Sequence, residues 1–278
     1  MTIPDLSILV GPYTRLTLAI NAAIRTHRAA MAASGVVALP TRGASPLARA
    51  LALGPGTGEE RWATFLEALP AAAEKPVFLS ALNFLGAPAA AISARDLFPG
   101  AEELFTGLAG ALTTPSRLVI GIEPLHCFFV ASASDALAAR VSKTGWEALY
   151  EISWADLVEE ILNCFPGAET IVVTPESGML RPGQLSETLF GLAGQAIPSR
   201  AFQDAHLTTE GRAALSQIAP EHASEPTLRE LFERLGNVPE REVLASRFGI
   251  DRLTSTLLTQ RFDEDVERFS AMAGVRLL

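Results

Sequence analysis

Residues 6–24 decide the fold, and they read LSILVGPYTRLTLAINAAI. The apolar run Leu6–Val10 has strand length, which predicts a buried β-strand. A turn, Gly11–Thr17, follows and leads into a segment whose apolar residues recur at helical spacing. One face of the predicted helix carries Leu16, Ala19, Ile20, Ala23, His27 and Met31. Strand, turn and helix in this order are typical of the opening unit of an α/β fold.

Short apolar runs alternate with helix-length segments along the next part of the chain. Four of these runs have strand length, namely Val36–Leu39, Val77–Ala81, Leu118–Ile122 and Ile171–Thr174. Strand–helix–strand alternation implies right-handed crossovers, so helices should cover both faces of a parallel sheet. We therefore predict a three-layer α/β fold with a mostly parallel central sheet of about five strands.

The C-terminal part of the chain has a different pattern, in which helical segments follow one another. The predicted helices are Thr209–Ile218, Thr227–Leu235, Glu240–Phe248, Arg252–Gln260 and Asp263–Met272, and Val275–Leu278 has the length of a short strand. We expect a single domain over residues 1–278. Its core should span about residues 1–198, with a helical extension at about 199–278 packed on it. Gly54–Gly58 is the clearest loop signal.

The overall charge and hydropathy exclude several classes of function. The net charge is −9, from 22 basic and 31 acidic residues, and the basic residues are scattered arginines. Because nucleic-acid surfaces need clustered Lys and Arg, we expect no nucleic-acid partner. No apolar run approaches the roughly 20 residues that cross a bilayer, and the N-terminus lacks the basic start of a secretory signal. These features predict a cytoplasmic protein without a membrane span.

The chain has two cysteines, Cys127 and Cys164. They are too few for a disulfide framework, which fits a reducing compartment. They also lack Cys-x-x-Cys spacing, and no histidine lies at a zinc-ligand distance in the sequence. We therefore expect two buried thiols and no metal site.

The turn after the first strand is the first candidate site. An open parallel sheet places its crevice at the carboxyl ends of its strands, and the N–H groups of a helix N-terminus can bind an anion there. The candidate binding residues are Gly11, Pro12, Tyr13, Thr14, Arg15, Leu16 and Thr17. A phosphate loop prefers several glycines and a lysine, which this turn lacks. An ordinary connection between a strand and a helix is the alternative interpretation.

Motifs along most of the chain resemble those of bacterial sulfotransferase-like proteins, which have a P-loop fold. That family opens with a strand, a Pro-Lys-Thr-Gly-Thr-Thr turn, a helix and a second strand of the form Ala/Gly-Gly-Val…Pro. The similar segments here are Ile8–Pro12 with its turn and helix, Ala33–Pro40, Phe78–Gly86, Val119–Pro124, Pro175–Gly178 and Arg261–Val266. The resemblance implies a transferase that uses PAPS, the sulfate donor, with a small carbohydrate or lipid as acceptor.

The positions that the resemblance assigns to PAPS carry different residues here. The family's loop lysine and glycine fall on Tyr13 and Arg15, and its strand-end arginine falls on Ile122. Thr14 and Thr17 keep hydroxyl groups that can contact a phosphate. Each substitution removes charge or hydrogen-bonding capacity from a site for a multiply charged anion. The resemblance therefore implies a lost or altered donor site.

Two further positions follow from the same resemblance. The serine that accompanies the family's strand-end arginine falls nearest to Ser132. A carboxylate that often follows the third strand, where it can accept a proton, falls on Leu82.

His126 is the candidate catalytic residue, because it follows Pro124 close to the predicted crevice. A histidine there can act as a general base, and a hydrogen-bonded structural histidine is the alternative. Glu123 can orient it or be a solvated carboxylate at a strand end.

Two weaker patterns remain in the sequence. Asp204 and His206 could join Ser80 or Ser177 in a hydrolase site, although no Gly-x-Ser-x-Gly elbow supports this. The acidic run 263–265 suits the first turn of a helix, with metal binding as the alternative.

Two hypotheses of function remain, and the sequence leaves open whether the chain is an enzyme. In the first, it is a sulfotransferase-like transferase with Thr14, Arg15 and Thr17 on PAPS. In the second, it is a non-catalytic relative that binds a ligand or partner in the crevice or at its helical tail. A small anion, or a carbohydrate or lipid acceptor, is the expected ligand.

Overall fold

A computed structural model describes residues 5–41, 75–82, 84–86, 88, 91–93, 96–111, 115–219 and 222–278, so the loop signal at Gly54–Gly58 lies outside the described residues. The strands within these ranges are β1 (Leu6–Leu9), β2 (Val37–Leu39), β3 (Val77–Ser80), β4 (Ile92–Ser93), β5 (Asp96–Leu97), β6 (Arg117–Gly121), β7 (Glu169–Val173) and β8 (Val275–Leu277). Six of them form one sheet, in the order β2-β3-β1-β6-β7-β8.

Neighbouring strands of this sheet all run parallel, which confirms the predicted mostly parallel sheet. Strand β1 lies near its centre, where Ile8 pairs with Leu79 on one side and with Leu118 on the other. The sheet has one strand more than predicted, because β8 adds to the edge beside β7. Strands β4 and β5 pair antiparallel in a separate two-stranded ribbon, which the sequence pattern did not predict.

The helices are α1 (Arg15–Ala33), α2 (Ala101–Ala111), α3 (Leu125–Ala131), α4 (Asp135–Val141), α5 (Trp146–Glu151), α6 (Trp154–Cys164), α7 (Pro175–Leu180), α8 (Pro182–Phe190), α9 (Arg200–Gln203), α10 (Thr209–Gln217), α11 (Glu225–Leu235), α12 (Arg241–Val243) and α13 (Arg252–Ala271). Helix α1 begins at Arg15, within the predicted turn. None of the described helices is both long and apolar enough to span a membrane.

Helices cover both faces of the sheet, as the alternation of strands and helices predicted. On one face, Leu16 of α1 belongs to a buried cluster that includes Leu9 of β1. On the other face, Phe128 of α3 and Trp154 of α6 belong to a cluster that includes Ile8. Because successive side chains of a strand point to opposite faces, Ile8 and Leu9 anchor different helical layers.

The C-terminal part differs from the prediction in two places. The predicted helix Glu240–Phe248 is α-helical only over Arg241–Val243 and continues as a π-helix over Leu244–Phe248. Helix α13 runs without a break from Arg252 to Ala271, so the expected interruption between residues 260 and 263 is wrong. The acidic run 263–265 consequently lies inside a helix and not at its first turn. No Gly or Pro occurs in this stretch, and Tyr150 donates a hydrogen bond of 3.0 Å to Glu264, which ties the middle of α13 to α5.

One buried carboxylate fixes α13 to the body of the protein. Asp265 is 1% exposed, and its two oxygens accept hydrogen bonds from Ser153 Oγ at 2.6 Å and Trp154 N at 2.8 Å. Ser153 also caps α6 by accepting from Ala155 N at 3.0 Å. Asp265 therefore binds the N-terminus of α6, where the helix dipole favours an anion.

We expect Asp265→Ala to lower the free energy of unfolding by about 3 kcal/mol, because it leaves buried donors at the start of α6 without their acceptor. The matched control is Asp263→Ala, two residues earlier on an exposed side of the same helix, which should change stability by less than about 0.5 kcal/mol. Urea denaturation of both variants provides the measurement. Equal effects would contradict the anchoring role.

Candidate functional site

The candidate site lies at the carboxyl ends of β1 and β6, which are neighbours in the sheet. The chain leaves β1 into α1 on one face and leaves β6 into α3 on the other face. Such a switch point opens a crevice between the two connections, and ligands of open α/β sheets bind at this position. The turn Gly11–Thr17 and the segment Glu123–His126 meet there.

Glycine is required at the first residue of the turn. Gly11 has φ of +84°, a conformation that L-residues with a side chain rarely adopt. A Cβ atom at this position would lie 2.7 Å from Leu82 O, so the backbone of the segment after β3 leaves no room for one. Gly11 therefore serves the close approach of two backbone segments.

The two threonines of the turn bind each other in a capping box at the start of α1. Thr14 Oγ1 accepts a hydrogen bond from Thr17 N at 3.2 Å, and Thr17 Oγ1 accepts one from Thr14 N at 3.0 Å. Thr17 Oγ1 also donates to the Pro12 carbonyl. Both residues are fully buried. Their hydrogen-bonding groups therefore stabilise the turn itself.

A buried ion pair fills the crevice at the N-terminus of α1. Arg15 Nε lies 2.9 Å from Glu123 Oε2, and the backbone N–H of Arg15 donates to Glu123 Oε1 at 3.2 Å. The Glu123 side chain is 1% exposed and that of Arg15 is 17% exposed. The carboxylate thus occupies the position at which a helix N-terminus binds an anion.

The charges of this pair stabilise each other. Burial raises the pKa of Glu123, and the charge and hydrogen bonds of Arg15 oppose that rise. Because a guanidinium stays charged in proteins, a protonated Glu123 would leave Arg15 buried without a counter-ion. The pKa of Glu123 stays raised, and Arg15 is the group that favours its charged form.

Arg15 also joins the crevice to the C-terminal part of the chain. Its Nη1 donates to the backbone carbonyl of Asn237, which follows α11. Trp154 Nε1 donates to the Glu123 carbonyl at 2.9 Å and fixes the other half of the pair.

Cys127 lies beside the ion pair as a buried thiol, and burial and the Glu123 charge raise its pKa to about 12. A thiol with this pKa is not a nucleophile at neutral pH.

The positive charge of Arg15 acts on two buried histidines, His126 and His206. His126 is 4% exposed and its Nδ1 has no hydrogen-bond partner, while His206 is fully buried and neither of its ring nitrogens has one. Burial, followed by the charge of Arg15, lowers the pKa of His126 to about 4 and that of His206 to about 3. Both rings are therefore neutral at pH 7. The pKa of His126, about 4, lies far below the near-neutral pKa that suits a general base at pH 7.

The structure also places the other residues assigned from the resemblance. Ile122 is fully buried and Leu82 is 2% exposed, so both belong to the apolar core. Ser132 ends α3, and its Oγ donates to the Phe128 carbonyl at 2.8 Å within that helix. Tyr13 packs partly buried against the α1 face of the sheet. These positions supply no positive charge to the crevice.

The alternative hydrolase site does not assemble. Asp204 accepts hydrogen bonds from Arg200, Ser80 Oγ bonds Thr41 Oγ1 at 2.9 Å, and Ser177 Oγ donates to Thr174 O at 2.8 Å. His206 makes no hydrogen bond to any of them. Over the described part of the chain, no group of three or more His, Cys, Asp or Glu residues could hold a metal ion.

Sequence reasoning located Arg15 and Glu123 near the crevice but did not pair them. It did not connect Asn237 or His206 with this crevice. The only local signal for the pair is an arginine at a helix start and a glutamate that follows an apolar strand. The remaining information lies in the strand order, which makes β1 and β6 neighbours.

The chain matches no protein-family model, no curated protein and no solved structure.

We expect Glu123→Ala to lower the free energy of unfolding by about 3–5 kcal/mol, because it leaves Arg15 as a buried charge without its partner. Glu176→Ala is the matched control, since Glu176 is an exposed carboxylate just after the neighbouring strand β7. It should change stability by less than about 0.5 kcal/mol. A small effect of Glu123→Ala in urea denaturation would show that the pair is not a structural element.

Proposed function

We propose that this chain is a sulfotransferase-like protein of the P-loop fold whose donor site no longer takes PAPS, and that it binds a ligand or partner instead of transferring a sulfuryl group. The order of the sulfotransferase-like motifs along a parallel sheet supports the family. The contacts of Arg15 and Glu123 support the loss of the donor site.

The observation that carries the proposal is the carboxylate of Glu123 at the N-terminus of α1. A phosphate bound at this turn would need the N–H and guanidinium groups that Glu123 already occupies. It would also meet a buried negative charge at hydrogen-bond distance from those donors. Like charges in a buried site repel strongly, so PAPS must displace Glu123 before it can bind.

The neighbouring positions do not compensate for this. Thr14 and Thr17 satisfy each other, and the buried Ile122 offers no charge. An arginine at Ile122 would be buried among apolar side chains, so the family's pattern cannot be restored there without a large loss of stability. These contacts favour a non-catalytic protein over an active transferase.

The charge balance at the crevice gives a polyanion no advantage. Glu123 neutralises Arg15, and burial keeps the rings of His126 and His206 uncharged. An uncharged ligand such as a carbohydrate therefore suits this end of the sheet better than a polyanion.

The first test is calorimetric titration of the unmodified protein with PAPS. Two lost charge-assisted hydrogen bonds, at about 1.5–3 kcal/mol each, weaken binding by roughly two to four orders of magnitude, because Glu123 keeps Arg15 from replacing them. We therefore expect weak or undetectable binding. Micromolar or tighter affinity would contradict the proposal and favour the transferase.

A second test asks whether Glu123 is what blocks the site. Sulfate should raise the melting temperature of Glu123→Ala, because the anion can replace the lost carboxylate at Arg15. The unmodified protein and Glu176→Ala should show only the general stabilisation by sulfate, which is excluded from protein surfaces. Equal sulfate effects in all three proteins would show that the helix N-terminus does not take an anion even when it is vacated.

A further inference from the structure

Helices α10 and α11 form a hairpin whose two ends meet beside the crevice. Thr208 N donates to Leu235 O at 3.0 Å, and Leu207 and Gly236 form an isolated antiparallel bridge. The hairpin has a small apolar cluster of its own, made by Leu207, Leu215 and Leu228 with residues of α7. We call this unit, which comprises residues 207–219 and 222–238, the α10–α11 hairpin.

Over its described residues, the α10–α11 hairpin is attached to the body of the protein by one apolar cluster and by polar contacts at its surface and base. Its apolar attachment in the described cluster is to Met179 and Leu180 of α7. Two polar attachments lie at the surface, where Arg181 meets Glu225 at 3.5 Å and Arg200 donates to the Arg212 carbonyl at 3.2 Å. Exposed contacts of this kind contribute little to stability.

Two further polar attachments lie at the base of the α10–α11 hairpin. Arg15 donates to the Asn237 carbonyl, and Asn237 N donates to the His206 carbonyl at 2.7 Å. His206 therefore marks the point at which the hairpin leaves the body.

The groups packed around the ring of His206 leave both of its nitrogens without a hydrogen-bond partner. Helix α11 places Phe232 edge-on, with the ring centroids 6.2 Å apart. Helix α7 presents Gly178, where a Cβ atom would lie 2.9 Å from His206 Nε2. Helix α1 contributes Leu16 and the cation Arg15, and Glu123 is bonded to Arg15. On its own turn, Asp204 is bonded to Arg200.

We propose that the α10–α11 hairpin is a hinged flap that opens on acidification, with His206 as the proton acceptor, and that its opening releases the Asn237 carbonyl from Arg15. In the closed state, a protonated His206 would be a buried charge beside Arg15 with no acceptor. Opening removes Phe232 and exposes the ring to water, where protonation is favourable. The contacts that hold the α10–α11 hairpin closed do not depend on whether the protein binds PAPS.

The direction of the pH effect follows from proton linkage. The pKa of His206 is about 3 in the closed state and close to its ordinary value of about 6.5 when the ring is exposed. The closed state is therefore fully favoured above pH of about 6.5 and loses stability as the pH falls. Because opening takes up one proton, its equilibrium constant rises about tenfold for each pH unit in this range.

Hydrogen exchange of the full-length protein, corrected for intrinsic rates, tests the proposal between pH of about 7.5 and 4.5. Peptides from the α10–α11 hairpin should lose protection about tenfold per pH unit below about 6.5. Peptides from β1, β6 and β7 should stay protected. His206→Gln should remove the pH dependence of the hairpin, whereas His222→Gln, an exposed histidine within the same hairpin, should retain it.

Three results would overturn the proposal. The first is that hydrogen-exchange protection of the α10–α11 hairpin in the unmodified protein does not change with pH. The second is a loss of protection in the hairpin and the sheet together, which would indicate global unfolding. The third is an unchanged pH dependence in His206→Gln. If that variant fails to fold, the slope measured on the unmodified protein decides alone.

Discussion

The ion pair between Arg15 and Glu123 connects three parts of the molecule that are far apart in sequence. Arg15 begins α1, Glu123 follows β6, and the guanidinium also holds the Asn237 carbonyl at the base of the α10–α11 hairpin. Both side chains are largely buried, so neither charge can be lost without leaving the other uncompensated. The charge of Arg15 also adds to burial in keeping His126 and His206 neutral.

The sheet could be predicted well because its strands are buried on both faces. Such strands appear as continuous apolar runs, and the run Leu6–Val10 followed by a helical pattern sufficed to place β1 and α1. Strands β4 and β5 have two residues each, which is too short for any periodicity to show. The break predicted within α13 was wrong because three successive acidic residues suggested a helix start, whereas Asp265 binds a different helix.

The sequence predicted where the candidate site lies but not which side chains meet there. An arginine in the turn after the first strand pointed to the crevice, but its partner lies 108 positions away and becomes a neighbour only through the strand order. The resemblance to sulfotransferase-like proteins drew attention to the positions of Tyr13, Arg15 and Ile122. It gave no indication that a carboxylate of the chain itself would lie at the N-terminus of α1. The burial of His206 likewise depends on α7 and α11, which the local sequence does not connect.

The coupling free energy between Arg15 and Glu123 tests most directly whether this pair organises the crevice. It is measured by a double-mutant cycle with Arg15→Met and Glu123→Gln, with urea denaturation of each variant. Glutamine is chosen because it can still accept the hydrogen bond from the backbone N–H of residue 15. If the pair is a buried element, each single variant is strongly destabilised and the double variant much less than the sum. We expect a coupling energy of about 2–3 kcal/mol. Additive effects, with a coupling energy near zero, would contradict the central role of the pair.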